Sequence, residues 1–292
     1  MSQISLTASM RSNLLSLQNT ANLMSQTQER LSTGKKVNSA IDNPSSFYTA
    51  QSLNNRANDL SSLLDSMGQA VSTIKAANEG ITSITSFVEQ AKAVAQSALD
   101  TTDVEARGKY MAQFNAIRSQ IDAMASDSGY KGINLLKSGS LTVKFSEEGS
   151  ALTITGVDAS SGGRDGATIT GLGIREGADW NKAPTGDTEE AKAAAAAAQK
   201  AAIEQAISDT TDAIAKLRTD ASTFGNNYSI VQTREEFTKN LINVLEEGAD
   251  KLTLADMNEE SANMLALQTR QQLAINSLSL ASQAAQSVLK LF

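Results

Sequence analysis

The apolar residues of this 292-residue chain recur at alternating steps of four and three near both of its ends. Near the start, Met10, Leu14, Leu17, Ala21, Met24 and Leu31 keep that spacing, with Gln28 the one polar intruder. Near the close, Met257, Met264, Leu267, Ala274, Leu278, Ala281, Ala285, Val288 and Phe292 keep it too, interrupted by Glu260 and Gln271. This spacing lays one narrow apolar stripe along a helix, the seam of a coiled coil. A single helix with so thin a stripe cannot build a core. It must lie against another helix, and the matching stripe sits at the other end of the chain. The pattern predicts paired ends and a function in assembly rather than chemistry.

Composition narrows the function classes. Aromatics are only 4% and Pro only 2, which suits side-by-side helices with small or straight apolar residues at their seams. A net charge of -7 argues against nucleic acid or an anionic membrane as partner. No apolar run approaches the roughly 18 residues that a membrane span needs. Cys is 0 and His is 0, which removes thiol nucleophiles, imidazole or thiolate zinc sites and the commonest general base. The carboxylate pairs Glu147-Glu148 and Glu189-Glu190 read as solvated surface. No cofactor is expected. Met1-Ser2-Gln3-Ile4-Ser5-Leu6 lacks the basic start and apolar stretch of a Sec-type signal, so export would need another machine.

Read along its length, the chain gives a first helix over about 6–33, ended by Gly34 with Lys35 and Lys36 beside the negative helix pole. Asn43-Pro44 restarts the helix, a cap acceptor before a proline at the first helical position. Leu53, Ala57, Leu60, Leu64, Met67, Val71, Ile74 and Ile81 continue the heptad with Asn78 as exception; the register then slips to Ile84, Val88, Ala91, Ala95 and Ala98. Thr102 and Glu105 read as a capping box opening a third helix to about Ser126, closed by Gly129. Leu141, Val143 and Phe145, then Leu152 and Ile154 across Ser146–Gly149, alternate as a β-hairpin does. Residues 129–186 hold 12 of the 18 glycines, so this segment is turn-rich. Ser160–Gly166 lacks the Gly-Lys-Ser/Thr ending of a phosphate loop and reads as plain surface loop. Asp187 and Glu190 cap a long helix through Ala193–Ala198. Its seam is Ile203, Ile207, Thr210, Ile214, Leu217, Ala221, Phe224, Tyr228 and Val231. Gly248 ends the helical stretch and a terminal helix begins near Thr253. The expected fold is mainly α, a long antiparallel coiled-coil helical rod with a small β-hairpin region and its N- and C-terminal helices paired.

Leu31-Ser32-Thr33-Gly34-Lys35-Lys36-Val37-Asn38-Ser39-Ala40-Ile41-Asp42-Asn43-Pro44 resembles the segment joining the first two helices of bacterial flagellin. Ser128-Gly129-Tyr130-Lys131-Gly132-Ile133-Asn134-Leu135-Leu136 is similar to that family's turn before its hairpin, and Val288-Leu289-Lys290-Leu291 to its close. The resemblance spans about residues 1–157 and 187–292. It implies a short flagellin without large outer domains, a secreted subunit that polymerises with its copies into the extracellular flagellar filament. It further implies an inner-tube pair from residues 1–43 and 250–292, an outer-tube part from 44–157 and 187–249, and a short variable surface loop at 158–186. Implied partners are the filament cap, hook-associated proteins, an export chaperone and the flagellar type III export apparatus. A hook–filament junction protein is the alternative, being built on the same terminal helices. The flagellins that carry a zinc protease are excluded by the absence of His.

For the middle helices an apolar seam is most simply an intramolecular core. The terminal seams are read differently, as filament contacts: Met10, Leu14, Leu17, Ala21, Met24, Leu31, Met264, Leu267, Leu278, Ala285, Val288 and Leu289. Their helices are expected to order on assembly. Flagellins detected by an innate immune receptor carry an Arg and a Leu one turn apart and a Glu on the next helix. The equivalent positions here are Glu89, Ala93 and Gln113, all mismatched. The resemblance thus implies weak detection.

Overall fold

A computed structural model of the chain describes residues 8–165, 168–182 and 188–289. It is mainly α. The described residues form five helices, α1 (Ala8–Thr33), α2 (Pro44–Asp100), α3 (Val104–Asp127), α4 (Glu189–Thr253) and α5 (Met257–Leu289), and two small antiparallel sheets. The first sheet pairs β1 (Ser140–Lys144) with β2 (Ala151–Thr155) in the register Leu141 opposite Ile154 and Val143 opposite Leu152, the expected hairpin. The second pairs β3 (Gly163–Asp165) with β4 (Thr168–Thr170). The chain divides into two compact units, Met1–Asn58 with Ile242–Phe292, and Asp59–Leu241. The division falls inside α2 and α4, within long helices rather than at a linker.

Local chemistry explains where the helices start and stop. Asn43 Oδ1 accepts from the Ser46 amide at 3.1 Å, and Pro44 fills the first helical position, as the sequence predicts. The cap of α3 is one residue later than expected: Asp103, not Thr102, accepts from the Glu105 amide at 3.0 Å. Thr188 Oγ1 accepts from the Ala191 amide ahead of α4, while Asp187 lies outside the described residues. The largest departure is at Gly248. Leu245 and Ala249 are buried on either side of it, and that packing carries α4 on to Thr253 against the low propensity of a single glycine. Asp256 then caps α5, accepting from the Asn258 amide at 2.8 Å.

In the unit of residues 59–241 the core runs along α2 through Met67, Ala70, Ile74, Ala77, Ile81, Ile84, Val88, Ala91, Ala95 and Ala98, all buried. These positions step by three and four without interruption, so the register slip expected near residue 81 does not occur. The buried companions of Met67 and Ile74 are the alanines Ala70 and Ala77, while Val71 is half-buried and Asn78 exposed. Ile203, Ala206, Ala213, Leu217, Phe224 and Val231 of α4 and Phe114, Ile121 and Ala125 of α3 join the same cluster. Burial on this scale stabilises the unit without a partner, at about 25 cal/mol per Å² of apolar surface removed from water.

Residues 158–165 and 168–182, the described part of the expected 158–186 surface loop, correct the expectation of a solvent-facing loop, since several of them are buried in this core. Trp180 is 1% exposed and stacks at a tilt on Phe114, ring centres 5.0 Å apart; Leu172 and Ile174 are also buried. Polar contacts fix the segment to the helices, among them the following three. Asp122 accepts from the Ser161 amide and hydroxyl at 2.7 and 3.0 Å. Asn115 exchanges two bonds with the Gly177 backbone, at 2.8 and 2.9 Å. Arg175 grips the fully buried Asp209 carboxylate of α4 through Nε and Nη2, which raises the Arg175 pKa. Glycines here supply turns, not freedom from structure: Gly162 and Gly171 both have positive φ, and a Cβ on Gly162 would strike the Thr170 carbonyl.

Candidate functional site

The terminal helices α1 and α5 pair side by side, and the junction that sets their pairing is built from backbone. Gly34 takes φ +71, the left-handed conformation that ends α1 cheaply. The turn it makes brings Lys36 and Val37 amides to the Thr253 carbonyl at 2.8 and 3.2 Å, while the Ala255 amide reaches the Gly34 carbonyl at 3.0 Å. The end of α1 is thereby tied to the start of α5, and the two helices run antiparallel. Asp42 holds the following loop, accepting from the Asn38 and Ser39 amides and the Ser39 hydroxyl at 3.0, 2.9 and 3.1 Å. Those bonds to Ser39 and Asn38 stabilise the charged form and lower the Asp42 pKa from its ordinary 3.8.

On α5 the expected seam is the least exposed face: Glu260 is buried and Met264, Leu267, Gln271, Ala274, Leu278 and Ala281 are half-buried. The side chains of Ala285, Val288 and Leu289 lie outside the described residues. On α1 the seam differs from the sequence reading by one position. Met10 is buried and Leu17, Met24 and Leu31 are half-buried, but their companions are Asn13, Thr20 and Thr27, with both threonines buried. Leu14 and Ala21, the apolar companions that spacing selects, are exposed. Thr20 reaches this face because its hydroxyl donates to the Ser16 carbonyl at 2.9 Å, which satisfies the only polar group it would bury. The pair is closed at its tied end by Arg30 and Glu260, Nη1 to Oε1 2.9 Å, with Glu260 buried.

This pairing leaves a second apolar face uncovered. Leu265, Leu273 and Leu280 are 65%, 62% and 67% exposed. At about 100° per residue they fall opposite the α5 seam. Leu14, Leu15 and Leu23 are exposed on α1, and Ile275 on the flank of α5. A helix that is apolar on opposite faces is a helix with two layers of neighbours. The intramolecular pair supplies one. Sequence reasoning missed this face because it sought a single 4,3 stripe, although Leu273 and Leu280 repeat at the same seven-residue interval. Glu89 and Ala93 on α2 and Gln113 on α3 are exposed.

The matches with known proteins take in both tied ends and much of the chain between them. Residues 4–140 match the bacterial flagellin N-terminal helical region, and residues 198–292 match the bacterial flagellin C-terminal helical region. The chain belongs to the bacterial flagellin family. It is 30% identical to flagellin FljM of Caulobacter vibrioides over 96% of this chain and 95% of that one. It is 29% identical to a flagellin of Brucella melitensis over the same shares. A solved Bacillus cereus flagellin has a partial likeness, TM-score 0.45 at 16% identity over 59% of this chain and 88% of that one. As a member of a structural-protein family, this flagellin is a subunit that polymerises into the extracellular flagellar filament. Nothing in these matches favours a hook–filament junction protein.

Proposed function

We propose that the terminal helix pair is the polymerising element of this flagellin, and that its outward leucines, more than its seam, bind neighbouring subunits. The observation that carries this reading is how unit 1, residues 1–58 with 242–292, distributes its apolar side chains. Among the described residues, twelve of the sixteen exposed large apolar side chains belong to this unit, which buries only Met10, Val37, Ala50, Ala57, Leu245 and Ala249. Exposed large apolar side chains concentrated in this way mark an interface. The seam residues Leu17, Met24, Leu31, Met264, Leu267 and Leu278 then act indirectly, by holding the two helices in the pairing that presents Leu15, Leu265, Leu273 and Leu280. Residues 1–43 with 250–292 would line the filament, and 44–157 with 187–249 would surround that lining. The filament cap, hook-associated proteins, an export chaperone and the flagellar export apparatus are the further partners this reading assigns.

Replacing Leu265, Leu273 and Leu280 together by Ser tests the surface. The expected variant keeps the helix content of the monomer and fails to elongate seeded filaments in a sedimentation assay. Elongation at the native rate would sink the proposal.

A second proposal concerns the innate receptor. With Glu89 where detected flagellins carry Arg, and Ala93 and Gln113 where they carry Leu and Glu, the surface has lost a packing group and reversed a charge. Like-charge juxtaposition at an interface strongly disfavours a partner. Purified monomer is expected to give little response in receptor reporter cells, and Glu89→Arg with Ala93→Leu and Gln113→Glu to raise it. A native response equal to that of a detected flagellin would overturn this.

A further inference from the structure

The outward leucines of α5 have charge on one flank only. Among the described residues the helix carries three charged side chains, Glu259, Glu260 and Arg270. Glu260 is buried and bound to Arg30 at 2.9 Å. Glu259 and Arg270 are exposed and have no ion-pair partner among the described residues. No basic residue stands three or four positions from Glu259, and no acidic one from Arg270, so α5 itself supplies neither partner. Nor does α1, which pairs with α5 and is without charge from residue 12 to residue 28. At the ends of α1, Glu29 already accepts from Asn38 Nδ2 at 3.3 Å, and Arg11 lies at the far end of the antiparallel pair from Glu259.

Glu259 and Arg270 are 11 residues apart, which on a helix is about 16 Å of rise and only about 20° of rotation. Both therefore lie on one line, roughly 60° to the side of Leu273 and Leu280. Covering those leucines with a neighbour brings the two charges toward a low dielectric, where each needs an opposite charge close by. A second copy of α5 carries both. Were one patch to meet itself reciprocally, the contact would close a dimer, whereas a growing filament needs unlike patches to meet head to tail. We propose that Glu259 of one copy pairs with Arg270 of the next, their α5 helices parallel and offset by about 16 Å. Each subunit gives its carboxylate to one neighbour and its guanidinium to the other, so the contact repeats without closing. This pairing rests on the terminal helices being the polymerising element. It adds to the leucine face a charged rim that selects one axial offset, as flanking charges select partner and orientation in a coiled coil.

Charge reversal tests it. Both sites are exposed, so the Glu259→Arg and Arg270→Glu monomers are expected to keep the native helix content by circular dichroism. Each variant alone sets like charges against each other. Each is expected to raise the critical concentration for elongation of seeded filaments roughly tenfold at low salt, and by less as salt screens the contact. An equimolar mixture of the two variants is expected to elongate near the native critical concentration, because alternating copies restore opposite charges at every contact. The chain carrying both reversals should do the same. Single variants that elongate as native subunits do, or a mixture that stays as poor as its components, overturn the pairing. Leu265→Ser with Leu273→Ser and Leu280→Ser separates that failure from failure of the reading beneath it. If this triple variant cannot elongate while the single reversals are harmless, the ion pair alone is wrong; if it elongates at the native rate, the polymerising reading falls.

Discussion

In unit 2, residues 59–241, every seam position of α2 from Met67 to Ala98 is apolar and buried, and α3, α4, the hairpin and the segment ending at Trp180 all close on it. In unit 1, the seam of α1 alternates Met10, Leu17, Met24 and Leu31 with Asn13, Thr20 and Thr27, and most large leucines point away from the pair. One unit completes its core with its own side chains. The other places polar groups where the chain meets itself and leaves large apolar groups exposed on its outer faces. A polar internal seam costs the monomer some stability, and under the proposed function it leaves the apolar surface for contacts between subunits. On that proposal the terminal pair is half of an interface.

Disrupting the self-sufficient unit should give the largest change in stability. Trp180→Ala removes a buried ring packed on Phe114 and is expected to destabilise residues 59–241 by about 3–5 kcal/mol, read from urea unfolding followed by circular dichroism. A loss under about 1 kcal/mol would mean that the 158–182 segment is no part of the core. Asp209→Asn comes next. It leaves Arg175 without its carboxylate, and roughly 2–3 kcal/mol is expected, less than for a wholly buried pair because Arg175 keeps solvent contact. Normal unfolding of that variant would reduce the ion pair to a surface ornament.

The smallest effect belongs to unit 1 and depends on pH. Bonds from Ser39 and Asn38 lower the folded pKa of Asp42 below its ordinary 3.8, so its contribution is fully present above that value. It is lost as pH falls through the lowered folded value. The Asn38 and Ser39 amide resonances are expected to hold steady down to about pH 4 and to shift together below it. In Asp42→Asn they should show no such titration, and an unchanged acid titration there would assign it to another group.

The seven-residue repeat was legible in the sequence because it is carried by large residues: Met10, Leu17, Met24 and Leu31, or Met67, Ile74 and Ile81. The companion positions were not. A step of three and a step of four lead to adjacent residues on the same side of a helix, and choosing the more apolar one selected Leu14 over Asn13 and Val71 over Ala70. The structure turns the smaller or more polar residue inward each time, since alanine lets helices approach and threonine bonds its own backbone. Glycine marked the turns of residues 129–182 correctly, but it says nothing of whether a turn-rich segment packs down. The residue that marks this one as packed is Trp180, a large ring in a chain with few. The ion pair between Arg30 and Glu260 was invisible, because the two lie 230 positions apart and nothing between them records their meeting.

That Trp180 is the one tryptophan of the sequence gives the molecule a built-in optical label, in contact with Phe114 and shielded from water. Its emission should redden when the segment lifts from the bundle and stay constant when the terminal helices fray or associate. A melt followed by tryptophan fluorescence will therefore describe residues 59–241 alone, and polymerisation should leave the signal almost dark to the event that matters most to the cell. Following growth optically requires a second fluorophore, and Leu273 or Leu280 replaced by Trp would put one where the spectra are now blind.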